Sequence, residues 1–138
     1  MCYLWAGLLA ALGAWFFNRL AVKHFGEAAI ISLIPWLEEL LKTGTAYLSG
    51  ADLVLTHGVF GLVEALHDYA VSARWGLPAG LAGLVSHCFY GAFTGASFRL
   101  TSSWVISIFL TGLLHVLWNL AMVRFFSRLA VSRHRKGK

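Results

Sequence analysis

The chain has 138 residues, of which 59% are hydrophobic and only 12% charged, and its formal net charge is +5. A soluble domain carries roughly 25% charged and roughly 45–50% apolar residues, so this composition excludes an ordinary water-exposed surface. Six of the eleven Lys and Arg residues fall between Arg124 and Lys138, a juxtamembrane basic tail suited to anionic lipid, which argues against nucleic acid as the partner.

Five apolar stretches follow in chain order, each near the ~20 residues that a bilayer-spanning helix needs. They run over about 1–20, 27–48, 51–73, 77–98 and 102–123. The first has no basic segment before it and no small-residue cleavage site, so it reads as a retained span. Ser49-Gly50-Ala51-Asp52 ends the second helix and caps the third, and Gly76-Leu77-Pro78 acts in the same way before the fourth. Thr101-Ser102-Ser103 opens the fifth. The expected fold is an all-α, polytopic transmembrane bundle over 1–123, followed by a basic cytoplasmic tail over 124–138. Alternating the spans puts Arg19, Lys23, Arg74 and the tail on one side and Arg99 on the other. The positive-inside rule then makes the N-terminus external and the tail cytoplasmic, in a multi-pass cell-membrane protein. Cys2 and Cys88 fall too far apart in this scheme to form a disulfide. The six Trp residues are expected in the lipid-facing belt and in helix packing.

Polar residues stand where they are costly. Glu27 and Asp52 lie at helix starts, but Glu38, Glu39, Lys42, His57, Glu64, His67, Asp68, His87, His115 and Asn119 all fall within apolar stretches. A charge at a helix centre costs about 2.5–3.5 kcal/mol on insertion scales. Counted from the cytoplasmic end at ~1.5 Å per residue, Glu38 lies roughly 16 Å deep, His87 roughly 15 Å, and Glu64 and His115 roughly 9–13 Å. Four helices thus bring a carboxylate or an imidazole to one layer. Helical spacing lets Lys42 pair with either Glu38 or Glu39, and sets His115 and Asn119 on one face. His87, Gly91 and Gly95 share another face, where the glycines admit a neighbouring helix. An internal ion pair is the plain structural reading of Glu38, Glu39 and Lys42, and an interhelical hydrogen bond that of each histidine alone. Their shared depth favours function. His67 and Asp68 are expected to be solvated, and His57 to be structural.

These residues form an ordered series: Glu38-Glu39-x-x-Lys42, Phe60-x-x-x-Glu64, His87, and His115-x-x-x-Asn119. The series resembles the PrsW family of intramembrane proteases, related to the CAAX prenyl proteases and bacteriocin-processing proteins. Lys42 and Glu64, where the CAAX-type branch carries Arg and His, are similar to the PrsW branch. The resemblance implies hydrolysis of a peptide bond in a membrane-anchored substrate. Glu38 is expected to activate water, with Glu64 sharing or positioning it and Glu39 and Lys42 holding the arrangement. The resemblance gives His115 and Asn119 the role of an oxyanion hole, and His87 would support the water or the leaving amine. No Ser or Cys is paired with a base, so a covalent route is disfavoured. Glu38, Glu64, His87 and His115 are also acceptable zinc ligands, but the chain has no HExxH sequence, and no cofactor is expected. The rival readings are a non-catalytic scaffold or substrate-binding subunit and, behind it, a proton-coupled transporter, against which the absence of an inverted repeat argues.

Overall fold

The computed structural model describes residues 1–71 and 76–136, with side chains of 126, 127, 129, 130 and 131–136 left aside. Every element among the described residues is a helix: α1 (Cys2–Phe25), α2 (Ala28–Ser32), α3 (Ile34–Ser49), α4 (Leu53–Val71), α5 (Gly76–Thr101) and α6 (Trp104–Lys136). By length and composition, Cys2–Phe25 and Trp104–Phe125 are long and apolar enough to cross a membrane. Arg74 and the end of the 51–73 stretch lie outside the described residues.

The turns form for the reasons their residues suggest. Gly50 ends α3 in the left-handed region at φ 61°, ψ 27°, where a Cβ would be strained. The Ala51 N–H then donates to the Ala46 carbonyl, and Asp52 Oδ1 caps α4 by accepting from the Leu55 N–H at 2.8 Å. Ser103 Oγ accepts from the Ile106 N–H at 3.4 Å at the start of α6, and Ser102 makes the preceding turn at φ 53°. One stretch departs from expectation. The apolar run 27–48 is not a single helix but α2 and α3, interrupted at Leu33. Pro35 sits in the first turn of α3 and has no N–H to give to residue 31, so the helical ladder breaks there. Helix α6 runs unbroken through the boundary drawn at 123 as far as Lys136.

The interior has inverted polarity. Glu38, Glu39, Lys42, Thr43, Thr56, His57, His87, Thr94, Ser107, Thr111 and His115 are buried, whereas the buried apolar residues are mostly Ala6, Ala10, Ala14, Ala21, Ala29 and Ala46. Large apolar side chains such as Trp5, Leu12, Trp15, Leu48, Leu66, Val85, Leu100 and Phe109 stand on the outside. Two tryptophans pack inward or against neighbours, Trp36 on Gly112 and Phe109 and Trp104 on Phe98 and Tyr47, while Trp118 is exposed. Trp75 lies outside the described residues.

Helices α4 and α5 form the closest pair, and α3 is central, touching α1, α4 and α6. Glycine makes the approaches. A Cβ built on Gly91 would lie 2.8 Å from the Leu53 carbonyl and 2.9 Å from Val54 Cα, and one on Gly61 would lie 2.9 Å from His87 Cβ. Gly95 is in ordinary contact only, 3.6 Å from Leu53. Gly91→Val should therefore push α5 off α4 and cost about 1–3 kcal/mol. Gly83→Ala, whose Cβ would meet nothing within 4 Å, should leave stability unchanged or raise it by up to about 1 kcal/mol. Equilibrium unfolding in detergent micelles measures both.

Candidate functional site

The centre of the bundle is a continuous polar chain. Lys42 donates from Nζ to Glu39 Oε1 at 2.6 Å, and both side chains are fully buried. Its ammonium also lies 2.9 Å from His87 Nδ1. An ammonium only donates, so His87 Nδ1 is the acceptor and its Nε2 carries the hydrogen. That Nε2–H donates to Glu64 Oε2 at 2.5 Å. The Lys42 charge further lies 4.5 Å from the Phe60 ring centroid and 5.7 Å from that of Tyr90, so that aromatic faces complete its surroundings.

On the other side of Glu39, His115 Nδ1 donates to Oε1 at 2.9 Å. With Nδ1 protonated, neutral His115 presents a free lone pair at Nε2, which lies 3.8 Å from Glu38 Oε2. Glu38 Oε1 accepts from Asn18 Nδ2 of α1 at 3.2 Å. The chain thus runs Glu64, His87, Lys42, Glu39, His115, Glu38, Asn18, across α1, α3, α4, α5 and α6.

Six of the seven residues named from sequence, Glu38, Glu39, Lys42, Glu64, His87 and His115, meet here. Of the two carboxylates within reach of Lys42, it is Glu39 that takes the ion pair. Glu64 is half-exposed and forms the outer end of the chain. Asn119 lies apart from the others, with its Nδ2 3.4 Å from the Ile30 carbonyl of α2. His67 is exposed and Asp68 half-exposed, as expected of solvated groups, and they pair with each other at 3.7 Å. His57, read as structural, is fully buried with Nδ1 3.7 Å from Glu39 Oε2. Asn18 was missed. The signal was a lone carboxamide in an otherwise apolar turn of the first stretch, which without a charge or motif drew no attention.

Glu38, His87 and His115 each offer one metal-ligating atom, all within 4.8 Å of one another. Zinc takes nitrogen and oxygen ligands at about 2.0–2.2 Å. An ion there would have to take His87 from Lys42 or from Glu64, because both ring nitrogens are engaged. Of the three, His87 is the one that contacts the Lys42 ammonium.

Comparison with protein-family models, with curated proteins and with solved structures returns no match for this chain.

A buried ion deprived of its partner costs about 3–5 kcal/mol. Lys42→Met should therefore destabilise the bundle by that much. Adding Glu39→Gln to it should recover a large part, since no unpaired charge then remains. Thermal unfolding in detergent of the single and double variants checks the sign of this coupling.

Proposed function

We propose that this chain is a multi-pass membrane protein of about five spans, with α2 and α3 together making the second. We propose further that it hydrolyses a peptide bond of a membrane-anchored substrate through water activated by Glu38. The inverted polarity supports the membrane reading, since large apolar side chains on the outside and charges within suit lipid and not water. The positive-inside bias puts the N-terminus outside and the basic end of α6 in the cytoplasm of a cell membrane. Labelling from each face separately tests this: Ala51→Cys and Lys138→Cys should react with an impermeant thiol reagent from opposite sides.

One observation carries the chemistry: two adjacent buried glutamates have different partners. Glu39 is neutralised by Lys42 and held by His115. Glu38 receives one hydrogen bond, from a neutral carboxamide, and its Oε2 faces the Nε2 of His115. A carboxylate locked to an ammonium is a poor base, whereas one with a free oxygen beside an imidazole is placed to take a proton. The similarity of the motif series to PrsW-type proteases points to the same residue.

In this reaction Glu38 Oε2 removes a proton from water as the water oxygen attacks the substrate carbonyl carbon. The carbonyl π electrons move to oxygen, and donors from His115 and Asn119 stabilise that charge. Glu38 then passes its proton to the amide nitrogen as the C–N bond breaks, leaving a carboxylic acid, which ionises, and an amine. His115 Nε2 acts as a donor only when that nitrogen carries a proton. Asn119 must exchange the Ile30 carbonyl for the substrate, and its long 3.4 Å contact is a weak tie to break. His87 and Glu64 lead from this centre to the half-exposed rim, a route for returning the proton to solvent.

The test compares protein N-termini, catalogued by mass spectrometry, in membranes that express equal amounts of the wild type or Glu38→Gln. New termini should appear with the wild type and fall by about 100-fold or more in the variant, the scale of one general base. With a substrate in hand, 1,10-phenanthroline should leave the rate unchanged. Identical catalogues from two folded proteins would favour the scaffold reading, in which the polar layer only locks helices together.

A further inference from the structure

Between the carboxylate–histidine centre and the turns at Gly50 and Ser102, the bundle holds a second set of buried polar side chains that the proposed chemistry does not use. On α3, Thr43 lies one turn beyond Glu39; on α4 stand Thr56 and His57; on α5, Thr94 and Ser97 continue the face of His87; on α6, Ser107 and Thr111 lead up to His115 in steps of four residues. All are buried, and all lie in the half of the bundle away from Glu64 and Asn18.

Part of this set is self-sufficient. Thr94 donates to the Tyr90 carbonyl, Thr111 to that of Ser107, and Ser107 to that of Ser103, and the Thr94 and Thr111 hydroxyls meet at 2.8 Å. Such back-bonding is the ordinary way for a helix to bury a hydroxyl. It does not account for the rest. Thr43 Oγ1, Thr56 Oγ1, both ring nitrogens of His57 and Glu39 Oε2 have no hydrogen-bond partner among the described residues, and His57 is 0% exposed. At 3.7 Å, His57 Nδ1 is too far from Glu39 Oε2 for a direct hydrogen bond. Buried donors and acceptors are satisfied by protein or by water, and several orphans on the packed helices α3 and α4 ask for water.

We infer that internal water occupies this polar column, bound by His57, Thr43, Thr56 and the free oxygen of Glu39, and links the Glu39–His115 centre to the membrane face at which α3 and α5 end. Gly91 lets α5 approach α4 beside His57, because a Cβ there would lie 3.1 Å from that of His57. The supply of this water to peptide hydrolysis rests on the proposed reaction; its presence does not.

Radiolytic footprinting tests the presence directly. X-ray pulses turn water into hydroxyl radicals that oxidise side chains within reach of it. The full chain in lipid nanodiscs is irradiated, and oxidation at His57 is compared by mass spectrometry with that at outward-facing Phe109, each corrected for intrinsic radical reactivity. His57 should be oxidised several-fold faster; a rate no higher than that of Phe109 overturns the inference. Thr43→Val and Thr56→Val give an independent reading. In a hydrated column they remove hydrogen bonds to water and lower the thermal midpoint. In a dry one they erase an unsatisfied hydroxyl, and a midpoint unchanged or raised in both again overturns the inference. Neither readout uses a substrate, so a labelled His57 in a protein without proteolysis would sink the reaction and leave the water path standing. A dry His57 in an active protease would do the reverse.

Discussion

The ion pair between Lys42 and Glu39 sets the terms for the whole bundle. Two charges removed from solvent are tolerated only when each is fully surrounded by partners. Glu39 obtains its second donor from α6 and Lys42 its second acceptor from α5, with the Phe60 ring of α4 closing one side. A slip of any of these helices by one turn would move a partner by about 5.4 Å and strand a charge. The pair therefore fixes the register of four helices at once. It also determines what its neighbour does. Glu38 lies ~100° further round α3, so the geometry that commits Glu39 to Lys42 turns Glu38 toward α1 and α6.

Small residues let that centre form. Ala6, Gly7, Ala10 and Ala14 line the inner face of α1, and a Cβ on Gly7 would come within 2.6 Å of Val59. Where the surroundings are as apolar as the interior, close van der Waals packing and interhelical hydrogen bonds replace the hydrophobic drive as the source of cohesion. The bundle follows that logic, placing alanine and glycine at the contacts and leucine, phenylalanine and tryptophan outside them.

Much of this was legible in the amino-acid order. Helix punctuation at Gly50 and Asp52 is local chemistry, and it appears where the residues call for it. The polar layer was visible because charge within an apolar run is costly and so conspicuous. What periodicity cannot supply is the partner across a helix interface. Glu38 and Glu39 are both within reach of Lys42, and only the positions of α5 and α6 decide between them. Asn18 went unnoticed because an uncharged carboxamide carries little penalty and no motif, yet among the described residues it is the one hydrogen-bond donor to Glu38. His57 was set aside because its meaning depends on what lies opposite, and Glu39 is eighteen residues away in sequence. Pro35 is the local cause of the break at Leu33, which the length of the apolar run alone does not reveal. Asn119 shares a helix face with His115, as its spacing requires, but four residues of rise carry it to the level of α2.

The length of α6 has a mechanical consequence. Its 33 residues amount to about 50 Å of rod, against roughly 30 Å for a hydrocarbon layer. From Leu113 to Lys136 the rod contains neither glycine nor proline, so nothing in that stretch can act as a hinge. His115 and the basic end are thus rigidly connected. In the orientation proposed above, torque applied at that end would turn the imidazole relative to Glu38, making α6 a lever with its short arm in the polar centre.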